Sequence, residues 1–183
     1  MRMAPGKRRE NFSMPDTIIR RGTQADLPRL ASIELDAATA FDTIGYGFCA
    51  AFGARSPEEQ QRALDEAAVF VAERSGMLAG FVLLWRVDGA AHVAELDVAR
   101  SVQGGGIGRR LMEAAEAWTR ESGYTRMVLT TFTEVPWNRP WYERLGFAGF
   151  EPGDDDSELL EIIAEEKAAG IWQAPRLAMR KDL

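Results

Sequence analysis

The 183-residue chain contains one cysteine, Cys49, and one histidine, His92. A single cysteine excludes an intramolecular disulfide and a cysteine metal cluster, and a single histidine excludes a multi-histidine zinc site. Cys49 reads as a small buried apolar residue, with a reactive thiol as the alternative. No stretch approaches the roughly 20 apolar residues of a membrane span. Positive charge is also short: 22 Lys and Arg stand against 28 Asp and Glu, a formal net charge of −6. Nucleic acid is bound through a basic face, so this balance argues against it as a partner and suits a cationic amine. The opening residues carry Arg2, Lys7, Arg8 and Arg9 with no apolar run behind them, which is not a secretory signal. Residues 1–15 are expected to be a disordered lead-in, and residues 16–183 a single cytoplasmic domain without membrane attachment.

Hydrophobic residues at 46% and charged residues at 27% are ordinary for a globular domain, so the organisation has to be read from periodicity. Thr17-Ile18-Ile19-Arg20-Arg21 is a short β-type run closed by Gly22. Thr23 and Asp26 form a capping-box variant ahead of Leu27, Leu30, Ile33 and Leu35, whose spacing predicts a helix to about Ala38. Residues 39–56, mixed aromatic, glycine and alanine, fit neither period and are expected to be mobile. Ser56-Pro57-Glu58-Glu59 is a helix start, with a cap, a proline at the first position and acids in the first turn. Val69–Glu73, Met77–Val87 and Ala91–Val98 are β-type runs joined by Ser75-Gly76 and Asp88-Gly89. Links that short dictate antiparallel pairing.

After Val98 the pattern changes. Gln103-Gly104-Gly105-Gly106-Ile107-Gly108 leads into Ile107, Leu111, Ala115 and Trp118, one apolar face of a helix ended by Gly123. Met127–Phe132 follows as a further strand, completing a parallel β-α-β unit. Asn138 to Leu145 reads as a short helix stopped by Gly146, Ser157–Ala169 as a last helix capped by Ser157, and Arg176–Met179 as a final strand. The fold class expected is α+β (α/β), a mixed and mostly antiparallel central sheet with helices on both faces.

Glycines between a strand and a helix gather backbone N–H groups at a helix N-terminus, where orphan donors and the dipole favour an anion; a plain tight turn is the alternative. The dinucleotide fingerprint G-x-G-x-x-G fails, because its third glycine position from Gly104 is Arg109. The Walker A loop fails for want of a lysine. What the segment matches is Q/R-x-x-G-x-G/A, as Gln103, Gly106 and Gly108. This string resembles the coenzyme A pyrophosphate motif of the GNAT superfamily of N-acetyltransferases. Leu96-Asp97-Val98 resembles the strand before that motif and Val128-Leu129-Thr130 the strand after it. Asn138-Arg139-Pro140-Trp141-Tyr142-Glu143-Arg144-Leu145-Gly146-Phe147 is similar to the family's N-x-x-x-Y-x-x-x-G-F element. The resemblance covers residues 17–150. It departs at Arg100, near which the family often has proline.

The resemblance implies an acetyl-CoA-dependent N-acetyltransferase that needs no metal and acts on a primary amine, small molecule or peptide, in a ternary complex. It places the pyrophosphate on amides of Gln103, Gly104, Gly105, Gly106, Ile107, Gly108 and Arg109, and the pantetheine arm along Leu96 and Val98. For Arg109 and Arg110 a solvated helix face is the competing reading. Asn138 and Tyr142, spaced i, i+4, share one helix face. The resemblance gives Asn138 a pantetheine contact and Tyr142 the protonation of the departing thiolate. Their alternatives are an N-cap and a core aromatic. An ammonium near pKa ~10.4 cannot attack until deprotonated. His92, six residues before Val98, is the first candidate base; its alternative is a strand histidine bonded to a carbonyl. Glu95 is the rival, set on the opposite face by strict alternation unless a bulge near Asp97 intervenes, and Glu34 is the third option. Phe41, Tyr46, Phe48, Phe52, Trp137 and Trp141 are candidates to wall an acceptor pocket or to belong to the core. Homodimers are common in the family. A non-catalytic acyl-CoA-binding module and a nucleotide-phosphate binder of another fold are the rival functions.

Overall fold

Two-residue links with left-handed backbone build the first half of the sheet. The computed structural model describes residues 17–183, so the lead-in expected over 1–15 lies outside the described residues. Strand β1 (Thr17–Arg21) pairs antiparallel with β2 (Ala68–Arg74), β2 with β3 (Met77–Val87), and β3 with β4 (Ala90–Val98). Ser75-Gly76 and Asp88-Gly89 join these hairpins with φ between 49° and 76° at all four residues. Paired positive φ values match the twist of the flanking strands, which is why Gly and Asp occupy such turns. Between β1 and β2 come helices α1 (Leu27–Ala38), α2 (Phe48–Ala51) and α3 (Pro57–Glu66). The start of α3 is a complete capping box: the Glu59 amide donates to Ser56 Oγ and the Ser56 amide to the Glu59 carboxylate. Asp26 does the same for the Thr23 amide ahead of α1. The segment 39–56 is a 3₁₀ stretch over Thr39–Ile44 followed by the single turn of α2.

Helix α4 (Ile107–Glu121) buries Ile107, Leu111, Met112 and Ala115 on one stripe and carries the chain to β5 (Arg126–Phe132), parallel to β4. Beyond it lie α5 (Arg139–Arg144), β6 (Ala148–Phe150), α6 (Ser157–Ala168) and β7 (Arg176–Asp182). The sheet order is β1-β2-β3-β4-β5-β7-β6, and β4–β5 is the one parallel pair among the described residues. Chain order is broken because β7 inserts beside β5 and leaves β6 at the edge. With α4 against one face and α1, α3 and α6 against the other, the sheet is the mixed, mostly antiparallel one expected.

One strand is unanticipated and one expectation is corrected. β6 is three residues of Ala, Gly and Phe, too short to carry a period. Ser157 does not cap α6; it is the first helical residue, and the carboxylate of Asp88 in the β3–β4 turn accepts from the amides of Glu158 and Leu159 at 3.1 and 2.9 Å. Glu158 in turn accepts from the Asp88 amide. A capping box normally closes within four residues; here it is split between segments about 70 residues apart and seats α6 on the hairpin.

Candidate active site

Alternation along β4 is reset in its middle. Leu83 pairs with Glu95 and Leu84 with Val93, so Ala94 is an extra residue, a β-bulge. Before the bulge Ala91 and Val93 face α4; after it Leu96 and Val98 do. The complementary set therefore shares the other face: His92, then Glu95 and Asp97 across the bulge. Glu95 is thus brought to the same face as His92, by a bulge at Ala94 rather than near Asp97. Arg55, ahead of α3, pins this distortion. Its Nη2 donates to the Ala94 carbonyl at 3.1 Å and to Glu95 Oε2 at 3.4 Å, while its backbone amide donates to Glu34 Oε2 at 3.1 Å. The sequence carries no mark that joins Arg55 to β4.

Three carboxyls and one guanidinium therefore meet under the bulge. Burial, and then repulsion from Glu95, pushes the Glu34 carboxyl up to about 7. Burial likewise raises Asp97 well above the usual carboxylate range, with Glu95 and Glu34 adding to it. Asp97 Oδ2 is buried without a partner among the described residues. His92 is 4% exposed, its Nδ1 also unpartnered, and burial with help from Arg55 lowers it to about 4. The imidazole is accordingly neutral at pH 7 and a weak base. Burial pushes the Cys49 thiol up to about 11, which disfavours its thiolate at neutral pH.

Beside this cluster the sheet opens. β4 and β5 pair only at Ala91–Met127 and His92–Val128, and from there the two strands run on without pairing each other. Tyr142 of α5 stands at this gap, edge-on to Trp141 and Phe147. Burial raises its phenol well above the ordinary value, and the charges of Glu95 and Asp97 add to the rise. Asn138 occupies the N-cap position of α5 but makes no side-chain cap hydrogen bond; its carbonyl accepts from the Trp141 and Tyr142 amides.

The glycine turn lies at the end of the same gap. Gly104 and Gly106 both have φ 77°, and Gly106 is the N-cap of α4. A side chain at either would be strained, and a Cβ at either would meet nothing within 4 Å, so this face of the turn is open. Left-handed residues ahead of a helix gather amides into an anion-binding concavity, and 15 residues of helix dipole point the same way. The turn thus fits a pyrophosphate, and the unpaired strand edges fit an amide-bearing arm. Two side-chain contacts flank the turn. Gln103 turns its side-chain amide onto the Val98 carbonyl at 3.0 Å, using one lone pair of a group expected to meet the pantetheine. Arg100 points away from the turn, its guanidinium donating to Thr39 Oγ1 and its amide to Asp36 Oδ2. A proline there would lack that amide. Arg109 lines a cavity of about 200 Å³ with Arg144 and Lys181.

Comparison with known proteins gives the family and the fold. Residues 36–147 match the model of the acetyltransferase (GNAT) family. Among solved structures, PaiA N-acetyltransferase from Thermoplasma acidophilum in complex with coenzyme A superposes with a TM-score of 0.68 at 17% identity, over 92% of this chain and 99% of that one. The ribosomal-protein-S18-alanine N-acetyltransferase from Escherichia coli gives 0.67 at 18% identity, over 91% and 94%. Ard1 from Thermoplasma volcanium gives 0.67 at 15% identity, over 91% and 97%.

Proposed function

The chain belongs to the acetyltransferase (GNAT) family, and on that premise we propose that it transfers an acetyl group from acetyl-CoA to a primary amine by direct attack. The observation that carries this reading is the open glycine turn at the N-terminus of α4, set at the end of the gap between β4 and β5. The pyrophosphate is held by amides from Gln103 to Arg109, and the pantetheine arm follows Leu96 and Val98, with Asn138 facing it from α5. That a structural neighbour was solved with coenzyme A supports this choice of donor.

The proton balance assigns the remaining groups. An ammonium must lose one proton before its nitrogen can attack the thioester carbon, and the new amide nitrogen loses a second. One N–C bond forms and one C–S bond breaks, and the thiolate takes up a proton. Glu95, with Glu34 and Asp97 behind it, receives the protons from nitrogen. A carboxyl held near 7, as Glu34 is, matches a base that works at neutral pH. His92, near 4, is the poorer acceptor and serves the cluster as a neutral neighbour. Tyr142, kept protonated by burial, donates to the thiolate, and the Val98 amide steadies the charge on the carbonyl oxygen.

Release of free thiol from acetyl-CoA across a panel of amines tests the activity, and Tyr142→Phe tests the mechanism. The variant should lose roughly 100-fold or more in kcat while KM for acetyl-CoA stays within about threefold. Turnover within a few-fold of the parent protein would sink the acid role.

A further inference from the structure

Buried polar atoms on the face of the sheet that α1 and α6 cover find no partner among the described residues. Asp97 Oδ2 lies on β4, in a carboxyl that burial biases towards its neutral form, alongside Arg55 Nε and His92 Nδ1 of the same cluster; Arg176 Nε is a donor and lies on β7, beyond β5. The Arg176 side chain is 11% exposed and its pairing is thin. Its Nη2 donates to Thr130 Oγ1 at 2.9 Å and lies 3.5 Å from Glu166 Oε1. That carboxylate is already divided, accepting from the Thr130 hydroxyl at 2.7 Å and from the Trp172 indole at 2.9 Å. A buried guanidinium calls for full pairing, and its planar fork matches a carboxylate. Arg176 also borders the gap, because its guanidinium reaches Thr130 and lies over Phe132, both on the stretch of β5 that runs on unpaired with β4.

Phe132 connects this cation to an apolar wall. The Arg176 guanidinium lies 4.5 Å over its ring, and the rings of Tyr46, Phe41 and Phe48 approach it at 5.3, 5.7 and 6.0 Å. Three of these rings come from the segment 39–56 that had no legible period. Acid on one strand, a cation on the other and flat apolar rings beside the cation describe a particular ligand. A plain amine would leave Arg176 as it is, and a polyamine would bring a second cation towards it.

We propose that the acceptor is an α-amino acid with an aromatic or other apolar side chain. Its ammonium meets the carboxyl of Glu95, its carboxylate pairs with Arg176, and its side chain lies against the rings around Phe132. The proposal rests on the acetyltransferase reading above, with the same bonds formed and broken.

The test compares L-phenylalanine with phenylalaninamide and phenethylamine, which keep the ring and the amine but lack the carboxylate, and with L-alanine, which lacks the ring. Thiol release should show kcat/KM for phenylalanine at least roughly tenfold above each of the other three, the size expected of one charge-assisted contact. Arg176→Gln, or Arg176→Met if that variant does not fold, should collapse the ratio of phenylalanine to phenethylamine to within about threefold. A preference for the amine or the amide, or a ratio unchanged in the folded variant, overturns the proposal and leaves the acetyltransferase reading standing. A second arm needs no turnover: with coenzyme A present, N-acetyl-L-phenylalanine should raise the melting temperature and N-acetylphenethylamine should not. If that contrast appears while no amine releases thiol, carboxylate recognition holds and the catalytic reading fails. Equal shifts from the two acetylated compounds overturn the proposal.

Discussion

Burial of His92 sets a pH dependence that its position in the sequence did not reveal. The folded state holds the imidazole at about 4 against 6.5 in water. Below 6.5 the unfolded chain binds a proton that the folded chain refuses, so the contribution of this group is complete above pH 6.5 and is lost as pH falls through 4. A shift of that size corresponds to about 3 kcal/mol. Urea melts of the parent protein and His92→Gln should therefore diverge: the difference in unfolding free energy between pH 7 and pH 4 should be smaller in the variant by about 2–3 kcal/mol. Identical pH slopes would show that His92 is not held neutral. Glu34 acts with the opposite sign, because its folded value is raised to about 7. Between about 4.5 and 7 the folded chain keeps a proton that the unfolded chain has lost, so this group lowers stability as pH rises. The residues themselves were legible: His92, Glu95 and Glu34 were all candidate bases. Their grouping was not, because it depends on the Ala94 bulge and on Arg55, 39 residues away from the carbonyl it holds.

Elements with strong local signals were legible for local reasons. The β3–β4 hairpin follows from Asp88-Gly89, the start of α3 from Ser56 and Glu59, and the β-α-β unit from an amphipathic helix between two apolar runs. Elements that rely on distant partners escaped the sequence. Helix α6 is the clearest case, since its first turn looks self-capped by Ser157 yet is satisfied by Asp88. Asp88→Ala should therefore cost about 1–2 kcal/mol, as a lost N-cap does, with further strain because Asp88 sits at φ 49°. Ser157→Ala should change stability by less than about 0.5 kcal/mol, the range of an ordinary surface position. Chemical denaturation of the two variants decides between the caps, and a larger loss from Ser157→Ala would reverse the assignment. Because Val128 and Ala178 of the sheet pack with Leu159 and Ile163 of α6, the turn at Asp88 also helps hold the helix over the strands that border the gap.

At the scale of the whole molecule the sheet is two sections joined by little backbone. β1 to β4 form one antiparallel run and β5, β7 and β6 another, and the ladder between them has only the two pairs at Ala91–Met127 and His92–Val128. Helix α4 and the core it buries against β3, β4 and β5 supply much of the connection on one face, and α6 with Val87, Ala90, Val128 and Ala178 on the other. A ligand arm laid between the open edges would add the missing strand-like hydrogen bonds and tie the sections together. A ligand that binds only the folded state at 100 times its dissociation constant adds about 2.7 kcal/mol, which in a chain of this length raises the melting temperature by roughly 5–10 °C. Coenzyme A should produce that rise and ATP should not, since only the former brings an amide-bearing arm as well as a pyrophosphate. Hydrogen exchange should locate the effect, with slower exchange at the β4 amides after the bulge and the β5 amides after Val128, and little change in β1 and β2. Gly106→Val places a side chain on the open, left-handed position that starts α4, and should weaken coenzyme A binding at least tenfold. Its circular dichroism should remain that of the parent protein. A shift confined to the glycine turn, with β4 and β5 exchanging as before, would mean that the cofactor arm does not enter the gap.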